Sequence, residues 1–320
     1  MDLVLLLPGQ GSQKVGMGRD LFEASSAARA AFETVDQAAG AAISALAFDG
    51  PDDELRRTHN AQPALLAHSA AAWAMLEDVL APHVRAAAGH SLGEFSAYHM
   101  AGALELADAA RIVRRRGQLM YETGRSRAGG MCAIVGSLSV PVEDLCAQAT
   151  AEAGLVVPAN YNSPEQIVIS GERAGVERAM ELAKAAGAKR CLPLPVSGAF
   201  HSPLMEPAVA GLAVALETAA LRDPRVPVFA NVDGSAITSA SRARSLLLQQ
   251  LTAPVRWTLV MRNLVDAYPD ALYVELGTGS VLSGLARRIA PSVRTASAGT
   301  LPEIEALLER VHAEGHSHAH

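Results

Sequence analysis

Gly89-His90-Ser91-Leu92-Gly93 has the G-x-S-x-G spacing of a serine held on a tight turn between a strand and a helix. Flanking glycines let the backbone pass closely, the hydroxyl stands at a helix N-terminus, and the Leu92 N–H points where an oxyanion would form. A serine hydroxyl needs a base. The chain offers ten histidines. His312, His316, His318 and His320 lie in a His-rich tail, expected to be a disordered, solvated terminus that fixes no metal geometry. His59, His68, His83 and His99 fall in helical or helix-edge context and read as structural or surface groups. His90 precedes the serine on a strand, so its side chain is expected to point away from that of Ser91. His201 remains. It sits between Pro195-Val196-Ser197-Gly198-Ala199-Phe200 and Ser202-Pro203, in a loop leaving a strand, where functional side chains collect. Alone, His201 fits a hydrogen-bonded loop histidine as well as a base.

Arg114-Arg115-Arg116 carries a second kind of chemistry. On a helix turning about 100° per residue, Leu106, Ala109, Val113 and Met120 share one face, and Arg116 falls on it. Arg111, Arg114 and Arg115 fall opposite, as a solvated basic face. A lone charge on an apolar face is unfavourable, so Arg116 needs an anionic partner. Two kinds remain open: an internal carboxylate such as Glu94, or a carboxylate on a substrate.

These groups must be positioned by the elements around them. Residues 3–7 are a continuous apolar run ended by Pro8-Gly9, which reads as a buried parallel strand. Residues 18–80 read as mostly helical, with breaks near 49–53, and 84–88 as a strand leading into the serine turn. Helical patterning resumes at Glu94 and, beyond Ala101-Gly102, runs past Arg116. The middle then changes character. Strands at 131–135, 155–159, 166–170 and 189–196 alternate with helices at 142–153 and 174–186, the β-α-β-β-α-β order of a ferredoxin-like unit. Strands at 226–231 and 272–276 follow. The expected architecture is α/β: a hydrolase-like parallel-sheet domain from residues 1–128 and 198–320, interrupted by a ferredoxin-like α+β subdomain at 129–197.

Composition narrows the class. Half of the 320 residues are hydrophobic and 19% are charged, enough apolar surface to offset chain ordering. Lys and Arg total 27 against 33 Asp and Glu, and a net charge of -6 argues against non-specific nucleic-acid binding. Cys132, Cys146 and Cys191 show no CxxC spacing, which points to reduced thiols and no zinc site. The N-terminal apolar run lacks a basic flank and is too short for a signal peptide or a span, and no other stretch of spanning length lacks charges. A soluble, cytoplasmic protein is expected.

Several motifs now join. Pro8-Gly9-Gln10-Gly11-Ser12-Gln13, Gln62-Pro63-Ala64, Gly89-His90-Ser91-Leu92-Gly93-Glu94, Asn160-Tyr161-Asn162-Ser163-Pro164, Ala199-Phe200-His201-Ser202 and Asn231-Val232-Asp233 occur along one chain. Together they resemble the malonyl-CoA:acyl-carrier-protein transacylases, from Leu3 to about Arg288. The resemblance implies that Ser91 is the acylated nucleophile and His201 its base, with Gln10 and the Leu92 amide as the oxyanion hole. It implies that the main-chain carbonyl of Gln250 orients the histidine, with no acidic third member. Arg116-Gly117-Gln118-Leu119-Met120 fits the family's R-G-x-x-M pattern, whose arginine clamps the malonate carboxylate; a guanidinium fork suits that role where lysine does not. Gln62 would line the acyl pocket, and Phe200 would crowd the malonyl α-carbon. Asn162, Gln166, Lys189 and Arg190 match positions that contact the coenzyme or carrier arm. The implied partners are malonyl-CoA and an acyl carrier protein bearing a phosphopantetheine arm, in fatty-acid or polyketide synthesis. No bound cofactor or metal, nucleic acid or membrane is implied, and the chain is expected to act as a monomer. Two other readings stand beside this one. An α/β serine hydrolase or thioesterase shares the elbow but usually adds an Asp or Glu before the histidine, for which no compelling candidate exists. A non-catalytic carrier-binding protein would not need the serine, histidine and arginine together.

Overall fold

The computed structural model describes the backbone of residues 1–317 and side chains through Ala313. The strands are β1 (Leu3–Leu7), β2 (Val84–Gly89), β3 (Gly129–Val135), β4 (Val156–Ser163), β5 (Gln166–Glu172), β6 (Arg190–Pro193), β7 (Val228–Phe229), β8 (Ala236–Ile237), β9 (Leu272–Leu276) and β10 (Arg294–Ala298). They form two sheets. The larger has the order β10-β9-β1-β2-β7-β8 and is parallel except for the β7–β8 pair.

β1 lies inside this sheet, and all five of its residues are buried. Strand geometry sends alternate side chains to opposite faces. Leu3, Leu5 and Leu7 join the larger core on one side. Val4 and Leu6 join a second core with Trp257, Met261 and Leu285 on the other. A strand covered on both faces has no polar face to show, hence the unbroken apolar run. Its C-terminal end delivers Pro8 to Gly11 beside the turn that follows β2.

The smaller sheet has the order β4-β5-β3-β6 and is antiparallel throughout. Helices Val142–Glu152 and Arg173–Ala185 pack on it through Leu145, Ala149, Val176 and Ala179, with Cys132 and Ile169 beneath. This is the ferredoxin-like arrangement. A proposed division at 128/129 and 197/198 keeps all four strands in one unit. Main-chain bonds from Tyr161 N–H to the Val255 carbonyl, 2.9 Å, and from Val255 N–H to the Ala159 carbonyl, 2.8 Å, tie β4 to the larger domain.

Several details differ from the sequence expectation. β10 and β8 were not anticipated: β10 is Arg-Thr-Ala-Ser-Ala, with little apolar pattern, and pairs only with β9 at the sheet edge. The strand expected at 189–196 ends at Pro193; the Leu194 N–H still donates to the Met131 carbonyl of β3 at 2.9 Å, and Pro195 lacks the N–H that would continue the ladder. The C-terminal helix Leu301–Ser317 runs through His312, where a disordered tail was expected to begin. His318 and His320 lie outside the described residues, as does the side chain of His316. The segment Thr58–His83 is long and apolar enough to cross a membrane by length and composition, but 67% of its 18-residue apolar window is buried inside the protein. It is a core helix, which explains its nearly unbroken apolar character.

The serine turn depends on close backbone contact. A Cβ built on Gly93 would lie 2.1 Å from the Leu7 carbonyl oxygen, and one on Gly89 would lie 1.9 Å from Gly93 backbone atoms. Neither neighbour is a flexible side chain. We therefore expect Gly93→Ala to destabilise the fold by about 2–3 kcal/mol in chemical denaturation. Gly284→Ala, where an added methyl meets nothing within 4 Å, is the control and should be near neutral. Equal midpoints for the two variants would contradict this account.

Candidate active site

Ser91 directly follows β2 and His90, and its φ is 52°. His201 has φ 55°, and among the described residues these are the two non-glycine residues at positive φ. Such a backbone is unfavourable for an L-residue and persists only when its surroundings hold it. At Ser91 the holding groups are specific. Its N–H donates to Asn231 Oδ1 at 2.7 Å, and its carbonyl accepts from Gln250 Nε2 at 3.0 Å. Asn231 Nδ2 in turn donates to the Gly89 carbonyl at 2.7 Å.

The hydroxyl of Ser91 lies 2.7 Å from His201 Nε2. His201 Nδ1 lies 2.9 Å from the Gln250 carbonyl and 3.3 Å from that of Ala253. Carbonyls only accept, so Nδ1 carries the hydrogen and Nε2 presents a lone pair to the serine proton. Burial, then the nearby Arg116 charge, pushes the His201 pKa down to about 3. The ring is therefore neutral at physiological pH without any carboxylate behind it.

Leu92 opens the helix Gly93–Met100. Among the described residues, the main-chain N–H groups of Gln10 and Leu92 donate to no protein acceptor. Both residues line a cavity of about 220 Å³ that also contains Ser91, Arg116 and His201. The Gln10 side chain accepts from the Thr58 hydroxyl at 2.7 Å, which fixes its carbonyl end. Met120, Met131, Leu194 and Phe200 supply apolar wall.

Arg116 is 1% exposed. Nη1 donates to Gln62 Oε1 at 2.8 Å, and Nη2 donates to Gln250 Oε1 at 2.8 Å and to Ser91 Oγ at 3.1 Å. Its guanidinium carbon lies 5.5 Å from the Phe95 ring centroid, a cation–π contact. The internal carboxylate does not touch it. Glu94 is fully buried, and its Oε2 accepts from Gln250 Nε2 at 2.7 Å and from the Asn231 N–H at 3.1 Å. One amide thus separates the two charges. Burial pushes the Glu94 carboxyl up to about 7 and the Arg116 guanidinium down to about 10. A buried cation ringed by neutral acceptors and open to a cavity is suited to an anionic guest.

Of the residues singled out from the sequence, Ser91, His201, Gln10, Leu92, Arg116, Gln250 and Phe200 come together. Gln62 does not form cavity wall; it backs Arg116 and also donates to Thr58 at 3.0 Å. Asn162 Oδ1 is engaged by His90 Nε2 at 2.8 Å. Gln166 and Arg190 both pair with Val135 across the smaller sheet, with Lys189 adjacent. Met131, on the cavity, is four residues along the same strand, so these groups lie about 13 Å away by strand rise. His90 borders the cavity, with its ring centroid 5.6 Å from that of Trp257 and Nε2 against Asn162, while the Ser91 hydroxyl meets His201 and Arg116. One expectation needs correction. Arg114 is only partly solvated: Nη1 donates to the His59 carbonyl and to Asn60 Oδ1, both at 2.6 Å. Phe95, Thr58 and Met131 were not identified from the sequence. Phe95 carried a signal, four residues past the serine on the helix that the turn leads into; Met131 belongs to the other sheet and carried none.

A family model described as the acyl transferase domain matches residues 4–301. The chain belongs to the acyl transferase family. It is 41% identical over 313 residues to the malonyl CoA-acyl carrier protein transacylase of Bacillus subtilis, covering 98% of each chain. Among solved structures, an acyl-carrier-protein-S-malonyltransferase from Bartonella henselae superposes with a TM-score of 0.92 at 43% identity, covering 97% of this chain and 99% of that one. A malonyl-transacylase solved with a type II polyketide-synthase acyl carrier protein superposes at 0.91 with 38% identity, covering 97% and 100%.

For this acyl transferase, the histidine's protonation state can be read directly. Its lowered pKa means that acid must work against burial and Arg116 to charge the ring, so the neutral form persists well below the ordinary value of about 6.5. In a ¹⁵N-histidine NMR titration, His201 should keep the shifts of the neutral Nδ1–H tautomer from pH 8 to pH 5. Protonation midway near 6.5 would contradict the electrostatics described.

Proposed function

We propose that this chain moves a malonyl group from malonyl-CoA to the phosphopantetheine thiol of an acyl carrier protein, through malonyl-Ser91 and ping-pong kinetics. The observation that carries this reading is a single hydroxyl between two groups: Ser91 Oγ lies 2.7 Å from a neutral imidazole nitrogen and 3.1 Å from a buried guanidinium. A malonyl thioester has its carboxylate one methylene beyond the reacting carbonyl, so the far end of such an acyl group falls on Arg116 when the near end meets the serine.

In the first half-reaction, the serine oxygen bonds to the thioester carbon as its proton passes to His201 Nε2. The developing oxyanion is held by the Leu92 N–H and by Gln10; one such donor is typically worth about 10²–10³ in rate. The C–S bond breaks, the imidazolium returns its proton to the leaving thiolate, and malonyl-Ser91 remains. The second half-reaction repeats these steps in reverse, with the carrier's thiol giving up its proton to His201 and attacking the ester. Atoms and electrons balance without a further co-reactant. The Gln250 and Ala253 carbonyls on Nδ1, where a hydrolase triad places a carboxylate, support transfer over hydrolysis. Phe200 crowds the α-carbon. Gln166, Lys189 and Arg190 lie at a distance that suits the phosphate end of a pantetheine arm, and their end of the sheet would receive the carrier. We place the enzyme in the cytoplasm, acting as a monomer, with its three thiols reduced.

Incubation with radiolabelled malonyl-CoA should leave one label per chain, and Ser91→Ala should carry none; a labelled Ser91→Ala protein would refute the covalent route. Arg116→Ala should lower kcat/KM for malonyl-CoA by about 10²–10³ and leave acetyl-CoA unchanged or faster, because an empty cationic site disfavours a neutral acyl group in the parent. Steady-state kinetics with both donors measures the ratio. An unaltered malonyl-to-acetyl preference would remove Arg116 from selectivity.

A further inference from the structure

Glu94 is a fully buried carboxyl three residues beyond the nucleophile, and the transfer chemistry gives it no step. Its surroundings are specific. Oε2 accepts from Gln250 Nε2 at 2.7 Å and from the Asn231 main chain at 3.1 Å, while Oε1 is buried without a protein partner. Gln250 is equally buried and works at both ends. Its side-chain oxygen accepts from Arg116, its nitrogen faces Glu94 and the Ser91 carbonyl, and its main-chain carbonyl holds His201.

We infer that Glu94 is a positioning residue for malonyl selectivity: by accepting from Gln250 Nε2 it fixes which end of that amide faces Arg116, and so aims the guanidinium fork at the acyl carboxylate. A side-chain amide can sit either way round, and its neighbours decide. Here two acceptors, the Glu94 carboxyl and the Ser91 carbonyl, hold the NH₂ end, and the Arg116 N–H meets the oxygen. A reversed amide would set hydrogens against the Arg116 N–H and oxygen against both acceptors. Without Glu94 the NH₂ end keeps only the Ser91 carbonyl as its acceptor, and the oxygen facing Arg116 is held less firmly. The His201 contact uses the main chain of Gln250, which an amide reversal leaves in place. Selectivity should therefore suffer more than acyl chemistry in general.

The inference rests on the proposed malonyl transfer, and the experiment separates the two. Acylation rates with malonyl-CoA and acetyl-CoA are compared for the full-length parent, Glu94→Ala and Glu94→Gln. Absence of malonyl labelling in the parent would defeat the proposed function itself. With a labelled parent, Glu94→Ala should lower the malonyl-to-acetyl ratio of kcat/KM by about tenfold or more, with the acetyl value changed less than about threefold. Glu94→Gln keeps an acceptor oxygen without the charge and should hold the ratio within about threefold of the parent. Equal losses with both donors in Glu94→Ala would overturn the inference, as that is general scaffolding. Loss of the ratio in Glu94→Gln would overturn it too, since charge and not amide orientation would then decide. Should Glu94→Ala fail to fold, Gln250→Met removes the amide but keeps the main-chain carbonyl. It must show the same loss of ratio, and a retained ratio there also overturns the inference.

Discussion

A guanidinium kept out of water by neutral oxygens is the interaction on which the rest of the site depends. Arg116 is held by the side-chain oxygens of Gln62 and Gln250 and backed by the Phe95 ring, with no carboxylate in contact. A salt bridge would have been the simpler way to bury an arginine, but a resident anion would occupy the fork that a guest carboxylate needs. Neutral acceptors satisfy several N–H groups and leave the charge uncompensated at short range. That charge also helps to keep His201 unprotonated.

The second constraint is conformational. Ser91 and His201 both sit at positive φ, and the two strained residues are the ones that face each other. The strain at Ser91 is opposed by Asn231 on its N–H and Gln250 on its carbonyl, and Glu94 ties those two side chains together. Ser91, His201 and Arg116 are therefore held by one continuous network of hydrogen bonds. Because its members are buried, loosening any one leaves a polar group without a partner, which makes the network rigid.

Much of the fold was legible because it follows from simple periodicities. A strand covered on both faces is apolar unless a buried polar group finds partners: β1 is apolar throughout, and β9 departs only at Glu275, whose carboxylate accepts from the Leu282 and Ser283 N–H groups. The β-α-β-β-α-β order of the insert emerged from alternating short apolar runs and helical stretches. The edge strand β10 escaped, since a strand paired on one side only and partly exposed needs no apolar pattern. Arg116 was legible because helix geometry alone puts it on the face shared by Val113 and Met120. Arg114 was misread by the same logic: wheel position says which way a side chain points, not that the His59 carbonyl waits there.

From residue types and spacing alone came the serine on its glycine-flanked turn, the histidine left by elimination, and the arginine that demanded an anion. These are local properties, set by neighbours within a few positions. Which anion that would be stayed open, because Glu94 and a substrate carboxylate satisfy the same local demand. Only the folded chain separates Glu94 from Arg116, by placing the Gln250 amide between them. Residues 94, 116, 231 and 250 lie on separate segments, and their meeting depends on how the parallel sheet and its covering helices pack. No pattern in one stretch of chain encodes a contact whose partners are brought together by the burial of everything between them.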